Sequence, residues 1–420
     1  MTEKLLQYIW QFQYFNQAHL STIGGERVFV LMPGAINNNG GPDFTNAKIQ
    51  IGSTVLAGTV ELHTKTSEWR KHGHQHDDNY RSVILHVVYK HDEDFKSTIP
   101  VVELESRIPH MLLKHYDHLM SSGYFIACSK TIYKVTDIVW LAWKDRLLAE
   151  RLERKSKRIL HLLDQSNQHW EEVFWWLLAR NFGATVNTDA FENIARAIPV
   201  KMIARHRHSI HQLEALLFGQ ANLLQTAFEE DYPKLLQREY QFLKLKYSLK
   251  ASSIPVHFLR MRPGNFPTIR LAQLAALLQG SASLFSPMLD IEDVKQVRES
   301  LNVTANDYWH YHYRFDHPSP YKIKLLGKSS IDSIIINTIV PVLFAYGIYH
   351  KEEKYKLKAI RWLEEISAEQ NVVTKAFAEV GTTLKNSFDS QALLELKTEY
   401  CIKKRCLECS VGHYLLKNNS

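Results

Sequence analysis

The sequence predicts an α+β protein: an N-terminal mixed-sheet α/β domain, then a mainly α-helical domain, then a C-terminal Cys-rich tail. Three observations lead there. Before residue 135, short segments rich in β-branched residues alternate with Gly, Pro and Asn. After it, apolar residues recur at helical spacing. Three of the four cysteines then crowd together at 401, 406 and 409. The boundaries that follow are 1–135, 136–399 and 400–420.

Taken in order, an amphipathic helix is expected over Glu3–Phe15. Strands are expected over Arg27–Met32, Ala47–Ile51, Thr54–His63, Arg81–Tyr89 and Ile99–Leu104, the first closed by Pro33-Gly34 and the second by Gly52. The loop Pro33–Asp43 is the most turn-rich segment. Helices are expected over Val135–Leu163, Trp170–Asn181, His211–Glu229, Pro233–Leu249, Ile269–Leu278, Ile291–Leu301, Ile331–Tyr349, Lys351–Ile366 and Ser390–Tyr400. Ile334–Tyr349 is the most apolar stretch, but Asn337, Thr338 and Pro341 interrupt it. It falls short of the ~20 residues of a spanning helix and reads as a buried helix broken at its proline. The first residues lack the basic-then-apolar order of a signal peptide, so a cytoplasmic protein without a membrane partner is expected.

Composition excludes several classes. With 420 residues, 45% of them hydrophobic, the chain can bury a large core. Gly 17 and Pro 13 are too few for collagen-like or linker-dominated chains, and 23% charged residues match a globular protein. Four cysteines do not make a disulfide scaffold. Lys+Arg 51 against Asp+Glu 44 gives +7, which permits a polyanionic partner. There is no G-x-x-x-x-G-K loop, so the chain is no nucleotide-driven motor, and no G-x-G-x-x-G or G-x-S-x-G motif.

The sharpest chemical signal is Pro42-Asp43 followed by Glu61-Leu62-His63. Two strands joined at Gly52 separate them, and such a hairpin brings its beginning and end side by side. Residues i and i+2 of a strand share a face, so Glu61, His63 and Lys65 point one way. Asp43 and Glu61 are the expected ligands of Mg2+ or Mn2+, and His63 and Lys65 complete the expected catalytic set. This layout resembles the PD-(D/E)XK nucleases, which place an Asp after Pro and a (D/E)-x-K on the next strand of an αβββαβ core. His63 stands where that family usually carries Lys, and Lys65 is the nearest alternative source of positive charge. His86 lies inside the apolar run Val83–Val88, either as a further metal ligand or as a hydrogen-bonded core histidine. The run His72-Gly73-His74-Gln75-His76 can chelate Zn2+, Mn2+ or Ni2+, or can be a solvated loop.

A second resemblance spans nearly the whole chain. The runs Asn39–Phe44, Gly58–His63, Val83–Val88, Glu214–Gln220 and Arg262–Gln273, with the Cys-rich end, resemble a bacterial family of about this length designated only as a domain of unknown function. It implies no activity. The tail spacing C-x4-C-x2-C suggests a Zn2+ or iron–sulfur site formed by Cys401, Cys406 and Cys409, with Cys128 or His413 as fourth ligand. One early and three late cysteines resemble the iron–sulfur staple of some CRISPR-associated and recombination exonucleases. Arg260, Arg262 and Arg270 around Pro263–Pro267 form an expected phosphate seat, and Trp309–Phe315 interleaves aromatics with His and Arg as a base-stacking platform would. Arg151, Arg154, Lys155, Lys157 and Arg158 add a basic helix face. The expected function is a metal-dependent nuclease acting on DNA or RNA. The alternatives are a non-catalytic nucleic-acid-binding or scaffold protein on a degenerate nuclease core, and a metal-dependent hydrolase of another substrate using the His-rich loop.

Overall fold

The computed structural model describes residues 1–37, 40–93, 99–250, 252–259, 261–281 and 283–418. The chain divides into two compact units: residues 1–143 with 376–382 and 396–420, and residues 144–375 with 383–395. The C-terminal residues therefore belong to the same unit as the N-terminal sheet.

The first unit opens with α1 (Glu3–Gln11), where the Thr2 hydroxyl accepts the Leu5 N–H at 3.3 Å. Its buried face is Leu5, Leu6, Tyr8, Ile9 and Trp10. The helix stops short of Phe15 because Gln13 takes a left-handed backbone, φ 54°. The sheet follows: β1 (Val28–Met32), β2 (Ala35–Ile36), β3 (Phe44–Ile51), β4 (Thr54–Lys65), β5 (Val83–Lys90) and β6 (Val101–Glu103). Its order is β1-β3-β4-β5-β6, with β2 pairing the start of β3. β1, β3 and β4 are antiparallel, whereas β5 and β6 run parallel to β4. A parallel step needs a crossover. Residues 66–82 supply it through α2 (Glu68–Lys71) and the 3-10 turns His74–His76 and Asp78–Tyr80.

The strand pleat then sorts the side chains. Val60, Leu62, Leu85 and Val87 join the core with Leu5, Ile9, Leu112 and Leu416. Glu61, His63 and His86 alternate with them and take the other face, yet are also buried. The β4–β5 register sets Glu61 directly opposite His86. Close approach here requires Gly58, since a Cβ would lie 2.5 Å from both Ile84 and the Ser82 carbonyl. Helix α3 (His110–Ser121) and the last helix, Ser410–Asn418, pack together on the core side.

The second unit is helical apart from a small hairpin, His312–Arg314 with His317–Pro318. The apolar segment expected to break at Pro341 is instead continuous over Lys328–His350, 23 residues. A π-helical turn, Ile335–Ile339, precedes the proline. A proline breaks the i to i−4 pattern, and a wider turn absorbs that change. This helix is long and apolar enough to cross a membrane by length and composition, but 72% of its apolar window is buried. The helix expected over His211–Glu229 ends at Gln220, where Asn222 turns left-handed, φ 60°.

Candidate metal centre

The centre is built where β3 begins and β4 ends. Asp43 precedes β3. Its Oδ1 accepts the Gln7 side-chain N–H at 2.8 Å, and its Oδ2 accepts the Leu62 N–H at 3.0 Å. Glu61 answers across the hairpin, with Oε2 accepting the Asp43 N–H at 3.0 Å. The two carboxylates thus hold each other's backbone in place, and the irregular register between Phe44 and Ala47 aims Asp43 at the sheet.

Histidines surround the free Glu61 oxygen. Oε1 lies 3.6 Å from His63 Nε2 and 3.5 Å from His74 Nε2. His63 Nε2 is 3.2 Å from His72 Nδ1. The ligand atoms of His63, His72 and His74 all fall within 4.8 Å of one another. Four ligands at ~2.0–2.1 Å around a tetrahedral zinc ion stand about 3.3 Å apart, so this spacing suits one ion. His74 Nε2 is buried without a hydrogen-bond partner, as a nitrogen that turns its lone pair to a metal would be. On its other side His63 Nδ1 meets His86 Nε2 at 2.9 Å. With the shared proton on His63 Nδ1, His63 Nε2 presents its lone pair to the cluster, and His86 orients the ring.

The electrostatics describe a site lacking its countercharge. Burial, then Asp43 beside it, pushes the Glu61 carboxyl up to about 8. Burial pushes Asp43 up to about 6 against the opposing Leu62 N–H. Burial, then His74 and His72, pulls His63 down to about 4, and burial, then His63 and His74, pulls His86 down to about 3. Glu3 on α1 adds a third carboxylate near enough to raise both Asp43 and Glu61. Among the described residues, no Lys or Arg forms an ion pair with Asp43 or Glu61.

The structure brings together Asp43, Glu61, His63 and His86, and adds His72 and His74. The signal for these two was the alternating His run. Gly73, φ 75°, turns the chain between them so that both reach the same point. Trp69 and Tyr80 wall the cluster, and the His74 ring stacks on Tyr80 at 3.8 Å. Lys65 is not gathered in: it is exposed. A cleft of about 840 Å3 adjoins the cluster, lined by Trp69, Arg70, His74, His76, Tyr80 and Arg81 among others.

The other expected residues fall elsewhere. Cys128, Cys401, Cys406 and Cys409 line one small cavity. His413 stands apart from it, its two ring nitrogens each 3.1 Å from a hydroxyl, of Tyr8 and Tyr14. Arg260 lies outside the described residues. Arg262 is exposed, whereas Arg270 is buried and donates to Asn265, Gln273 and Ser330. The aromatic run of the second unit is largely core: Trp309 is buried and donates to Glu214, and Phe315 packs on Phe218 and Phe228. The basic helix face is largely spent on partners, since Arg151 and Arg154 pair with Glu395 and Arg158 with Glu192.

A mixed sheet carrying a carboxylate–histidine cluster, with Glu61 and His63 buried and His72 exposed, defines a protein with a candidate metal-binding α/β unit joined to a helical one. The chain belongs to the family described as "Protein of unknown function (DUF2851)", whose profile matches residues 3–372. No curated protein and no solved structure matches it.

Proposed function

We propose that this protein is a metal-dependent hydrolase of phosphodiester bonds in nucleic acid. The observation that carries the reading is the convergence of Asp43 and Glu61 with His63, His72 and His74 beside an open cleft. Two further features support it. The run of elements α1, β1, β3, β4, crossover helix, β5 follows the αβββαβ order of PD-(D/E)XK nucleases, with Asp43 and Glu61-x-His63 at the corresponding places. The cleft carries Arg70 and Arg81, which would exchange their partners Glu93 and Asp78 for phosphates.

His63 Nε2, His72 Nδ1 and His74 Nε2 would hold the cation and leave a position open for water, with Glu61 Oε1 beside it. Three imidazoles favour Zn2+ or Mn2+ over the Mg2+ expected from carboxylates alone. A cation bound there supplies positive charge against the scissile phosphate and acidifies a bound water. Asp43, whose carboxyl is pushed up from the ordinary value by burial and which Gln7 and the Leu62 N–H hold still, is placed to accept a proton. His86 keeps the His63 ring in its plane.

One observation favours the non-catalytic reading: His63 stands where PD-(D/E)XK nucleases carry Lys and Lys65 is exposed, so among the described residues no Lys or Arg pairs with Asp43 or Glu61. Labelled single- and double-stranded DNA and RNA, assayed with Mn2+, Zn2+ or Mg2+, decide between them. Cleavage by the wild type that is lost in Glu61→Gln and His72→Ala, both still folded, supports the hydrolase. Binding without cleavage selects the scaffold reading, and cleavage undiminished in Glu61→Gln overturns the assignment of the site.

A further inference from the structure

The chain's four cysteines come from two distant stretches, yet all four meet. Cys128 lies in the turns after α3, and Cys401, Cys406 and Cys409 lie between the π-helical turn Leu396–Cys401 and the last helix. None is in a disulfide. Together with Leu119 and Tyr400 they enclose a cavity of about 20 Å3, room for one ion-sized occupant. Their electrostatics confirm the proximity: burial first, and then Cys409 and Cys406, opposes ionisation of Cys128, and Cys401 feels all three of the others.

Burial raises all four thiols above their ordinary value, and neighbouring donors oppose that rise only in part. The Cys409 sulfur faces the N–H groups of Gly412 and Val411, which favour negative charge there, as outer-shell donors do for metal-bound thiolates. Lys397 lies near enough to Cys401, and Lys404 to Cys406, to favour their ionised forms. The chain bends tightly to achieve this: a Cβ on Gly412 would stand 2.1 Å from the Cys406 carbonyl oxygen.

We propose that Cys128, Cys401, Cys406 and Cys409 form a second metal centre, separate from the histidine cluster, that takes a thiophilic metal as Zn2+ or as an iron–sulfur cluster. It ties residues 396–420 to the turns after α3 within the first unit, and its role is structural, because four protein ligands close the coordination sphere. Among the described residues the histidines are the only group of three drawn within 4.8 Å, so the sulfurs would have to draw closer, to about 3.8 Å from one another, to share one Zn2+ ion.

The test uses the full chain purified without oxygen, with zinc, iron and acid-labile sulfide measured. About one equivalent of zinc, or iron with matching sulfide and visible absorbance, is expected. In the His72→Ala/His74→Ala background, which removes the histidine cluster's own metal, that one equivalent should persist, and adding Cys128→Ser should bring it to background. If that variant does not fold, thiol titration of the wild type decides. Four thiols should resist a thiol reagent until a chelator strips the metal, and then all react. Zinc identifies a single-ion site and iron with sulfide a cluster. Absence of both, metal content unchanged in Cys128→Ser, or thiols equally reactive before and after chelation overturns the proposal.

Discussion

Two regions bury carboxylates in opposite ways. In the second unit, buried Glu395 accepts from Arg154 and lies 3.1 Å from Arg151, and Lys144 meets Asp389 at 2.9 Å. Each charge has a permanent partner. In the first unit, half-buried Asp43 and buried Glu61 meet backbone N–H groups, an amide and neutral histidines instead. A third case lies between them: Glu214 is enclosed by the Tyr232 hydroxyl and the Trp309 indole and is pushed by burial up to about 8. Under the proposed function, the contrast separates carboxylates used to hold the fold from carboxylates kept for a cation.

The largest expected effect tests the first kind. Glu395→Ala leaves Arg151, half-buried, without its carboxylate and should cost about 3–5 kcal/mol of stability in denaturant titration. Glu61→Gln should lose less than that in metal-free protein, because removing an unpaired buried carboxyl removes its desolvation penalty. Equal losses in both variants would erase the distinction. Next, His86→Ala should weaken metal binding at the histidine cluster by roughly 10–100-fold, as loss of an outer-shell partner does, measured by competition with a chromophoric chelator. An unchanged affinity would mean that His86 does not orient His63.

Glu214 gives a smaller effect with a definite sign. Its folded pKa is raised, so the folded state holds one more proton than the unfolded state between the ordinary value of 4.5 and about 8. Its stabilising contribution is complete below 4.5 and is lost as pH rises through about 8. Stability should fall across that window by up to about 1.4 kcal/mol per pH unit, and Glu214→Gln should flatten the slope. A steeper slope in the variant would contradict the burial argument. Smallest of all, Lys65→Ala should change stability by less than about 0.5 kcal/mol and leave metal affinity untouched, which calorimetry can check. A marked loss of affinity would return Lys65 to the site.

The strands from Arg27 to Leu104 were legible because β-branched runs bounded by Gly, Pro and Asn carry their own signal, and the observed β1, β3, β4 and β5 lie within a few residues of the expected ones. The short helices Thr188–Ala197, Val200–His206 and Ser410–Asn418 were not, since such lengths depend on packing more than on pattern. Likewise the pairing of Asp43 with Glu61 followed from hairpin arithmetic, whereas the inclusion of His72 and His74 did not. A left-handed Gly73 and the wall of Trp69 and Tyr80 turn that loop inward, and neither is a local preference that a string of residues displays.

Pattern alone determined what short-range chemistry encodes: the α+β division, the strand faces and the carboxylate pair on one hairpin. The tertiary structure decided which basic residues are spent and which cysteines meet. Arg151 and Arg154 read as a free basic face until Glu395, more than 240 residues away, occupied them. Cys128 and His413 were equal candidates until folding enclosed the first with three cysteines and gave the second to two tyrosines. The physical reason is the same in each case. A side chain's partner is chosen by packing between segments far apart in the chain, and the one-dimensional pattern records only who is near in sequence.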